Sequence, residues 1–338
     1  MSLSPYIISG PCSAESERQI LDTALSVAPA GANAFRAGLW KPRTHPGMFE
    51  GVGDKGLAWL KKARSETGLP IGTEVASRRH VEAVLDAGLD FVWIGARTTP
   101  NPFMVQEIAE SLSGSGLKVW IKNPVSQDIE LWAGAVERLQ ACGITDPGLI
   151  FRGFQAFDNV SGRNAARWMQ AIEMRTRFPQ LQMLCDPSHM AGDTALVPSL
   201  AARAMNLGMD GLMIEAHCCP QEALSDSNQQ LTPAQLAELI DNIKLRRGNS
   251  DAVSERLSVL RDNIDELDAR LLEILSSRMR LSDEIGMLKR ECGMPIIQPE
   301  RWDRVMKKAL SDASGLGLQE DFVKSVFRFI HEASVNRQ

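Results

Sequence analysis

Short apolar runs alternate with amphipathic stretches over roughly the first 240 residues of the chain. Eight of these runs are continuously apolar and rich in β-branched or aromatic residues, from YIIS at Tyr6 to GLMI at Gly211. Continuous runs of this kind are typical of parallel strands that are buried on both faces. Each is followed by a segment that can form a helix, and this alternation predicts the α/β class and a closed (β/α)8 TIM barrel.

Each apolar run also ends beside a polar residue that suits a metal ion or an anion. In chain order these residues are Cys12, Arg36, Glu74, Arg97, Lys122, Arg152, Asp186 and Glu215. The carboxyl ends of barrel strands converge on one face, where active sites of this fold lie. We therefore expect these side chains to meet in one cavity.

Composition narrows the class of protein. The 338 residues, 44% of them apolar, suffice for one barrel and a further small domain. No apolar stretch is long enough for a membrane helix, and the first strand begins by Tyr6, so we expect a cytoplasmic protein without a signal peptide. Six cysteines without disulfide spacing suit a reducing compartment, and a net charge of −5 argues against a nucleic-acid partner.

The pattern changes after the eighth strand. The segment LTPAQLAELIDNIKLRR predicts a closing helix with Thr232 as its N-cap and Pro233 in its first turn. Gly248, Asn249 and Ser250 then break the pattern. We place the domain boundary there, with a barrel over 1–248 and an all-α domain over 249–338.

The second domain opens with a heptad seam on one long helix, from Leu257 to Leu288, followed by two shorter helices over roughly 300–312 and 319–336. Arg278 stands within this apolar seam, where a buried charge needs a partner. Pairing with an acidic side chain to fix helix register is one explanation. Lys289 shares its face about 16 Å further along, whereas Arg261 lies about 25 Å away on another face and would have to come from a second chain.

Four residues are candidate metal ligands: Cys12, His189, Glu215 and Asp226. A thiol, an imidazole and two carboxylates accommodate manganese, iron, cobalt or zinc, and such a mixed set differs from a closed structural zinc site. The alternatives are that Cys12 is a small buried core residue and that His189 is a hydrogen-bonded core histidine.

Six cations near the strand ends form a candidate anion site: Arg36, Lys41, Arg43, Arg97, Lys122 and Arg152. Converging positive charges repel one another unless the ligand is strongly anionic, and guanidinium groups match phosphate geometry. Two phosphates, or a phosphate and a carboxylate, are implied. For any single member a surface salt bridge is the alternative.

The motifs GPCSAES, RAGLWKPRT, GAR, DPSH and IEAH with LSDSNQQL resemble the 3-deoxy-D-arabino-heptulosonate 7-phosphate (DAHP) synthases, over about residues 5–245. The similarity is to the branch nearest the octulosonate-phosphate synthases, which usually carry K-x-N-R-x-S where this chain has KPRT. The resemblance implies condensation of phosphoenolpyruvate with erythrose 4-phosphate. Octulosonate-phosphate synthesis from arabinose 5-phosphate is the alternative.

The resemblance also implies roles for single residues. Cys12, His189, Glu215 and Asp226 would bind a divalent metal, with manganese expected first and cobalt, iron or zinc as alternatives. Arg97, Lys122 and Arg152 would hold phosphoenolpyruvate, with Lys41 at the reacting centre. Arg36 and the turn from Lys41 to Thr44 would grip both substrates, Arg43 and Thr44 serving erythrose 4-phosphate.

Residues from about 254 to 338 resemble the all-helical chorismate mutases. The implied substrate-binding residues are Arg261, Arg278, Lys289, Arg301, Ser334 and Gln338. Lys289 and Gln338 would donate to the ether oxygen of chorismate, and Arg261 would cross from the partner subunit. A homodimer through this domain, or a higher oligomer, is implied. Gln298 and Trp302 depart from the family pattern, since Asp and Glu are common at their positions.

Together the two resemblances imply a bifunctional enzyme of aromatic amino-acid biosynthesis that makes DAHP and converts chorismate to prephenate. Feedback by prephenate on the barrel is expected through the second domain. The alternative is that the helical domain is a regulatory module that senses chorismate or prephenate with little catalysis of its own, and the sequence shows no coupling between the sites.

Overall fold

The structure, a computed structural model, describes residues 4–41, 47–155, 162–247 and 254–337. The chain divides into two compact units, Met1–Gly248 and Asn249–Gln338.

The first unit is a closed barrel of eight parallel strands, as the apolar runs predict. The strands are β1 (Tyr6–Gly10), β2 (Ala34–Arg36), β3 (Ile71–Val75), β4 (Phe91–Ile94), β5 (Lys118–Lys122), β6 (Gly148–Phe151), β7 (Met183–Cys185) and β8 (Gly211–Glu215). Each strand pairs with the next, and pairing of β1 with β8, from Tyr6 against Gly211 to Gly10 against Glu215, closes the barrel.

Helices follow the strands around the barrel. They are α1 (Glu17–Val27), α2 (Lys55–Thr67), α3 (Arg78–Ala87), α4 (Pro102–Leu112), α5 (Ile129–Ala141), α6 (Trp168–Arg177), α7 (Pro187–Ala191), α8 (Val197–Asn206) and α9 (Pro233–Arg247). At several of their N-termini a side chain accepts a backbone hydrogen bond, as Ser16 does from Gln19 and Thr232 from Gln235. The N-cap predicted at Thr232 is confirmed.

The apolar core of the barrel has two layers, one outside the strands and one inside them. The larger layer lies between strands and helices. The barrel interior is filled by Ile8, Ala34, Phe91, Trp93, Trp120, Ile150, Leu184 and Met213. Because this interior is packed, polar side chains at the carboxyl ends of the strands can meet only at the rim.

The described residues of the second unit form three helices, α10 (Ser254–Glu291), α11 (Pro299–Ser314) and α12 (Glu320–Arg337). The one long and two shorter helices agree with the predicted pattern. Helix α12 packs against both α10 and α11 around a small core of Ala309, Ala313 and Val323. Seam residues of α10 such as Leu267, Leu271 and Ile274 remain more than half exposed in the single chain.

Two sequence expectations concern covalent state and membranes. All six cysteines are free. Among the described residues, no helix combines the length and apolarity that a membrane crossing requires.

The start of β8 tests the barrel closure. A Cβ at Gly211 would lie 1.9 Å from the Tyr6 carbonyl oxygen, so the Gly211→Ala variant must separate β8 from β1. We expect a loss of about 1–3 kcal/mol in the free energy of unfolding, measured by urea unfolding followed by circular dichroism. Gly134→Ala in α5 is the control, because its Cβ meets nothing within 4 Å and should stabilise the helix by up to about 1 kcal/mol. Equal unfolding midpoints for wild type and Gly211→Ala would contradict the strand packing.

Candidate active site

Cys12 lies just beyond β1 and is fully buried. Its Sγ accepts a hydrogen bond from Lys41 Nζ at 2.8 Å and donates to Asp226 Oδ2 at 3.2 Å. Burial, and after it the charge of Glu215, raises the pKa of the Cys12 thiol to about 12. The thiol is therefore protonated at neutral pH, and a metal ion binding there must displace its proton.

Lys41 is the cation nearest to this thiol, and its Nζ also donates to the Cys12 carbonyl oxygen at 3.1 Å. Burial acts to lower the pKa of Lys41, but the Cys12 sulfur and the carboxylates of Glu215 and Glu74 outweigh burial, so the net pKa is raised. Lys41 is consequently a charged ammonium group that donates hydrogen bonds in the cavity.

His189 stands on the short helix α7, whose first turn is capped by Asp186. Its Nδ1 lies 2.8 Å from Asp186 Oδ2, and its Nε2 lies 3.6 Å from Glu215 Oε1. Burial lowers the pKa of His189 despite the two carboxylates. The imidazole is therefore neutral at pH 7, as a metal ligand must be.

Glu215 ends β8 and is completely buried. Its Oε2 accepts from Gln229 Nε2 at 2.7 Å, and its Oε1 lies 3.2 Å from Arg36 Nη2 but has no hydrogen-bond partner. Burial acts to raise the pKa of Glu215, but His189, which is protonated at low pH, and the charges of Arg36 and Lys41 outweigh burial, so the pKa is lowered and the carboxylate is ionised at neutral pH.

Asp226 adopts the left-handed conformation, with φ 48° and ψ 40°, at the start of a 3-10 turn over Ser227–Gln229. Its Oδ1 accepts a hydrogen bond from Arg163 Nη1 at 2.9 Å. Burial acts to raise the pKa of Asp226, but His189, Lys41 and Arg163 together lower it well below its usual range.

The four predicted ligands thus lie in two contacting pairs, Cys12 with Asp226 and His189 with Glu215. Across the described part of the chain, no three His, Cys, Asp or Glu side chains are arranged to hold a metal ion as they stand. Cationic side chains of the chain contact three of the four instead. The donor set still fits a divalent transition ion, because the buried Glu215 Oε1 lacks a hydrogen-bond partner beside a neutral imidazole.

A cationic cavity adjoins these residues. It is lined by Lys41, Glu74, Ala96, Arg97, Lys122, Arg152, Arg163, His189 and Asp226. Lys122 Nζ pairs with Asp186 Oδ2 at 2.6 Å, and Arg152 Nη1 donates to Asn164 Oδ1 at 3.0 Å. Burial lowers the pKa of Arg152 to about 10, which leaves it charged at neutral pH. The cavity therefore favours a ligand with several negative charges.

The predicted anion-binding residues are distributed unevenly. Lys41, Arg97, Lys122 and Arg152 line the cavity. Arg36 is buried behind it, with its Nη2 facing Glu215 and its guanidinium 4.8 Å from the centre of the Trp93 ring. Arg43 and Thr44 lie outside the described residues.

The sequence predicts Glu74 in the cavity as a strand-end residue with no further role, and it does not predict Arg163 there. Glu74 Oε2 accepts a hydrogen bond from Trp93 Nε1 at 3.0 Å. Gly95 leaves room for the Glu74 side chain, since a Cβ at Gly95 would lie 2.1 Å from Glu74 Oε1. Arg163 was missed because it lies well beyond the end of β6. Its place between Gly162 and Asn164, in a polar turn, was the only signal.

In the helical unit, Arg278 Nη1 donates to Ser334 Oγ at 2.5 Å. Among the described residues, the partner of the seam arginine is therefore a hydroxyl on α12 and not an acidic side chain. Lys289 Nζ donates to the Ile296 carbonyl oxygen at 2.6 Å. Burial, Arg278 and Lys289, in that order, lower the pKa of His331, so both cations face the same region.

The remaining predicted residues of this unit are Arg261, Arg301 and Gln338. Arg261 is exposed on α10. Arg301 is in the first turn of α11, next to Trp302, whose ring stacks on His331 at 4.2 Å. Gln338 lies outside the described residues.

A charge-removal experiment tests the buried pair at β5. In Lys122→Met, Asp186 loses its amine partner while fully buried, and we expect a loss of about 3–5 kcal/mol in unfolding free energy. Lys118→Met on the same strand is the control, because its pair with Asp146 is solvent-exposed and should contribute no more than about 1 kcal/mol. The measurement is urea unfolding at pH 7.

The same variants carry a pH test. Burial acts to raise the pKa of Asp186, but His189, Lys122 and Arg36 hold it well below its usual range. The ionised Asp186 therefore stabilises the folded state above the unfolded pKa of about 3.9. This stabilisation is lost as the pH falls through the folded pKa. The deficit of Lys122→Met should therefore shrink below about pH 4. A deficit independent of pH would show that Asp186 is not the charge left unpaired.

Comparisons with known proteins agree with this geometry. The model of the DAHP synthetase I family matches residues 3–246, and that of chorismate mutase type II matches residues 260–338. A phospho-2-dehydro-3-deoxyheptonate aldolase of Thermotoga maritima is 33% identical over 239 residues, covering 70% of this chain and 68% of the relative. The crystal structure of such an aldolase (DAHP synthase) from the same organism has a TM-score of 0.63 at 30% identity, covering 71% of this chain and 68% of that one.

Two further relatives match different shares of the chain. A 2-dehydro-3-deoxyphosphooctonate aldolase of Nitratidesulfovibrio vulgaris is 27% identical over 242 residues, covering 65% of this chain and 84% of the relative. The T-protein of Enterobacter agglomerans is 36% identical over 78 residues, covering 23% of this chain and 21% of the relative.

Proposed function

The chain belongs to the DAHP synthetase I family and ends in a chorismate mutase type II domain, and from this premise we propose a metal-dependent condensation in the barrel together with feedback from the helical unit. The two domains make the chain a bifunctional enzyme of the shikimate pathway. The observation that best supports the proposal is the cationic cavity beside four potential metal ligands at one rim of the barrel.

The metal would be held by Cys12, His189, Glu215 and Asp226, and manganese fits this mixed donor set, with cobalt, iron or zinc as alternatives. When bound, such an ion supplies Lewis-acid polarisation of the aldehyde oxygen. The neutral imidazole of His189 and the ionised carboxylates of Glu215 and Asp226 support this proposal.

The cavity cations position the other substrate. Arg97, Lys122 and Arg152 hold the phosphate and carboxylate of phosphoenolpyruvate, which places its enol carbon against the aldehyde of erythrose 4-phosphate. A carbon–carbon bond forms, water adds at C2, and phosphate leaves with cleavage of the C–O bond. Lys41 protonates the oxygen that becomes the new hydroxyl, a role that its place in the cavity supports.

Octulosonate-phosphate synthesis is the second candidate for the barrel, because relatives named for that reaction match at 27% identity. The two reactions differ in the aldehyde, which is erythrose 4-phosphate in one and arabinose 5-phosphate in the other. The KPRT turn favours the shorter sugar, and most of it lies outside the described residues.

The helical unit needs no nucleophile, because chorismate rearranges to prephenate in one pericyclic step. The protein must hold the folded conformer and stabilise negative charge that grows on the ether oxygen. Arg278 contacts Ser334, and both Arg278 and Lys289 lower the pKa of His331. These observations support a carboxylate clamp at Arg278, with Lys289 as donor to the ether oxygen. Arg261, Arg301 and Gln338 are proposed to complete the site, Arg261 from a partner subunit.

A homodimer, or a higher oligomer, would cover the exposed seam of α10. Leu267, Leu271 and Ile274 each expose more than half of their surface at heptad spacing, which is the pattern of a helix that packs against another copy. Sedimentation equilibrium giving a multiple of the 37.1 kDa chain mass checks this proposal.

The six free cysteines suit a reducing compartment, so we place the protein in the cytoplasm.

One assay series tests the barrel proposal. With phosphoenolpyruvate, the chain should release phosphate when given erythrose 4-phosphate and far less when given arabinose 5-phosphate. EDTA should abolish this release and Mn²⁺ should restore it, because the aldehyde loses its Lewis acid. Chorismate consumption in the same EDTA-treated sample should be unchanged and controls for folding. Phosphate release that survives full chelation would refute the metal role.

A second series tests the helical unit. Lys289→Met should lower chorismate turnover by roughly 10²-fold or more, because a donor to the developing oxyanion is removed. Lys307→Met, on α11, is the control for a lost positive charge. Prephenate should inhibit DAHP formation in the wild type and much less in Lys289→Met. Normal chorismate turnover by that variant would refute the assigned role of Lys289, and absence of prephenate inhibition in the wild type would refute feedback.

A further inference from the structure

Arg163 contacts both halves of the barrel site. Its Nη1 donates to Asp226 Oδ1 at 2.9 Å and to Gln229 Oε1 at 3.1 Å. The same side chain lines the cationic cavity with Lys122 and Arg152. One guanidinium therefore lies between a proposed metal ligand and the proposed anion pocket.

The backbone of Arg163 is held firmly while its side chain has room to move. Its amide donates to the carbonyl oxygens of Met190 and Ala191, each at 2.9 Å. Gly162, at φ 100°, allows the close approach, because a Cβ there would lie 2.8 Å from the Met190 oxygen. The side chain is 44% exposed, so the guanidinium can change partners without unfolding the turn.

Asp226 cannot serve Arg163 and a metal ion equally well. The guanidinium hydrogen bond occupies Oδ1, and Cys12 Sγ contacts Oδ2. A guanidinium within hydrogen-bond distance of a ligand oxygen also repels a divalent cation bound at that oxygen. Metal binding through Asp226 is therefore opposed as long as Arg163 remains on it.

An anion bound in the cavity offers Arg163 a partner other than Asp226. Arg97 and Arg152 face the same space, and a phosphate placed among them offers a charge-assisted partner that guanidinium groups favour. Such an anion competes with Asp226 for Arg163. Its negative charge also attracts the cation that Asp226 would bind.

We propose that Arg163 couples the two ligands of the barrel: binding of the phosphate of phosphoenolpyruvate draws Arg163 from Asp226 and releases that carboxylate for the divalent metal. Arg163 is in this sense a positioning residue. The inference rests on the proposed function, because it requires Asp226 to bind a metal. By reciprocity, the metal must raise the affinity for phosphoenolpyruvate by the same factor.

The experiment is calorimetric titration of Mn²⁺ into the full-length wild type and Arg163→Gln, each with and without saturating phosphoenolpyruvate and without aldehyde. In the wild type, phosphoenolpyruvate should raise Mn²⁺ affinity at least about fivefold. Arg163→Gln should bind Mn²⁺ more tightly than the wild type when no phosphoenolpyruvate is present, and its coupling factor should be smaller. Arg18→Gln, whose side chain is 91% exposed, is the matched control and should behave as the wild type does.

The sign of the effect separates this role from a structural one. If Arg163 only holds Asp226 in place, Arg163→Gln will bind Mn²⁺ more weakly, which overturns the inference. Equal coupling factors in the two proteins overturn it as well. A wild type that binds no Mn²⁺ under any condition refutes the proposed metal site itself, and this result is distinguishable from both of the others.

Discussion

The site at the barrel rim depends on the neutralisation of buried carboxylates by buried cations. Glu215 and Asp186 are completely buried, and each lies against a cation that is itself almost completely buried, Arg36 and Lys122. A buried carboxylate without such a partner is strongly destabilising. The barrel interior beneath the rim is packed with apolar side chains, so the compensating charges come from other strands of the barrel.

This balance of charges also prepares the site for its ligands. The cations are already desolvated and positioned, so an anionic substrate finds oriented charges and little further reorganisation is required. The carboxylates are ionised for the same reason, and they offer oxygen donors to a metal ion. Arg163 lies where these two requirements compete, since it serves a carboxylate and faces the anion cavity.

The two units differ in how far a single chain completes them. The barrel closes on itself through β1 and β8 and buries its core within one chain. In the described part of the helical unit, a small core is buried between α11 and α12, and apolar seam residues of α10 such as Leu267 and Leu271 stay exposed. The contact of Arg278 with Ser334 joins α10 to α12 within one chain, whereas Arg261 is exposed on α10. The exposed seam is the surface that the proposed homodimer would cover.

The sequence by itself determined the eight strands, the long helix and the polar strand-end residues, because hydrophobic periodicity and strand-end position are local properties that a single sequence carries. It could not determine which cation pairs with which carboxylate. The contacts of Lys122 with Asp186, Arg36 with Glu215 and Arg163 with Asp226 join residues far apart in the chain, and they depend on barrel register and side-chain direction. Only the tertiary structure decided these partners, since the cost of an unpaired buried charge acts between strands that folding brings together.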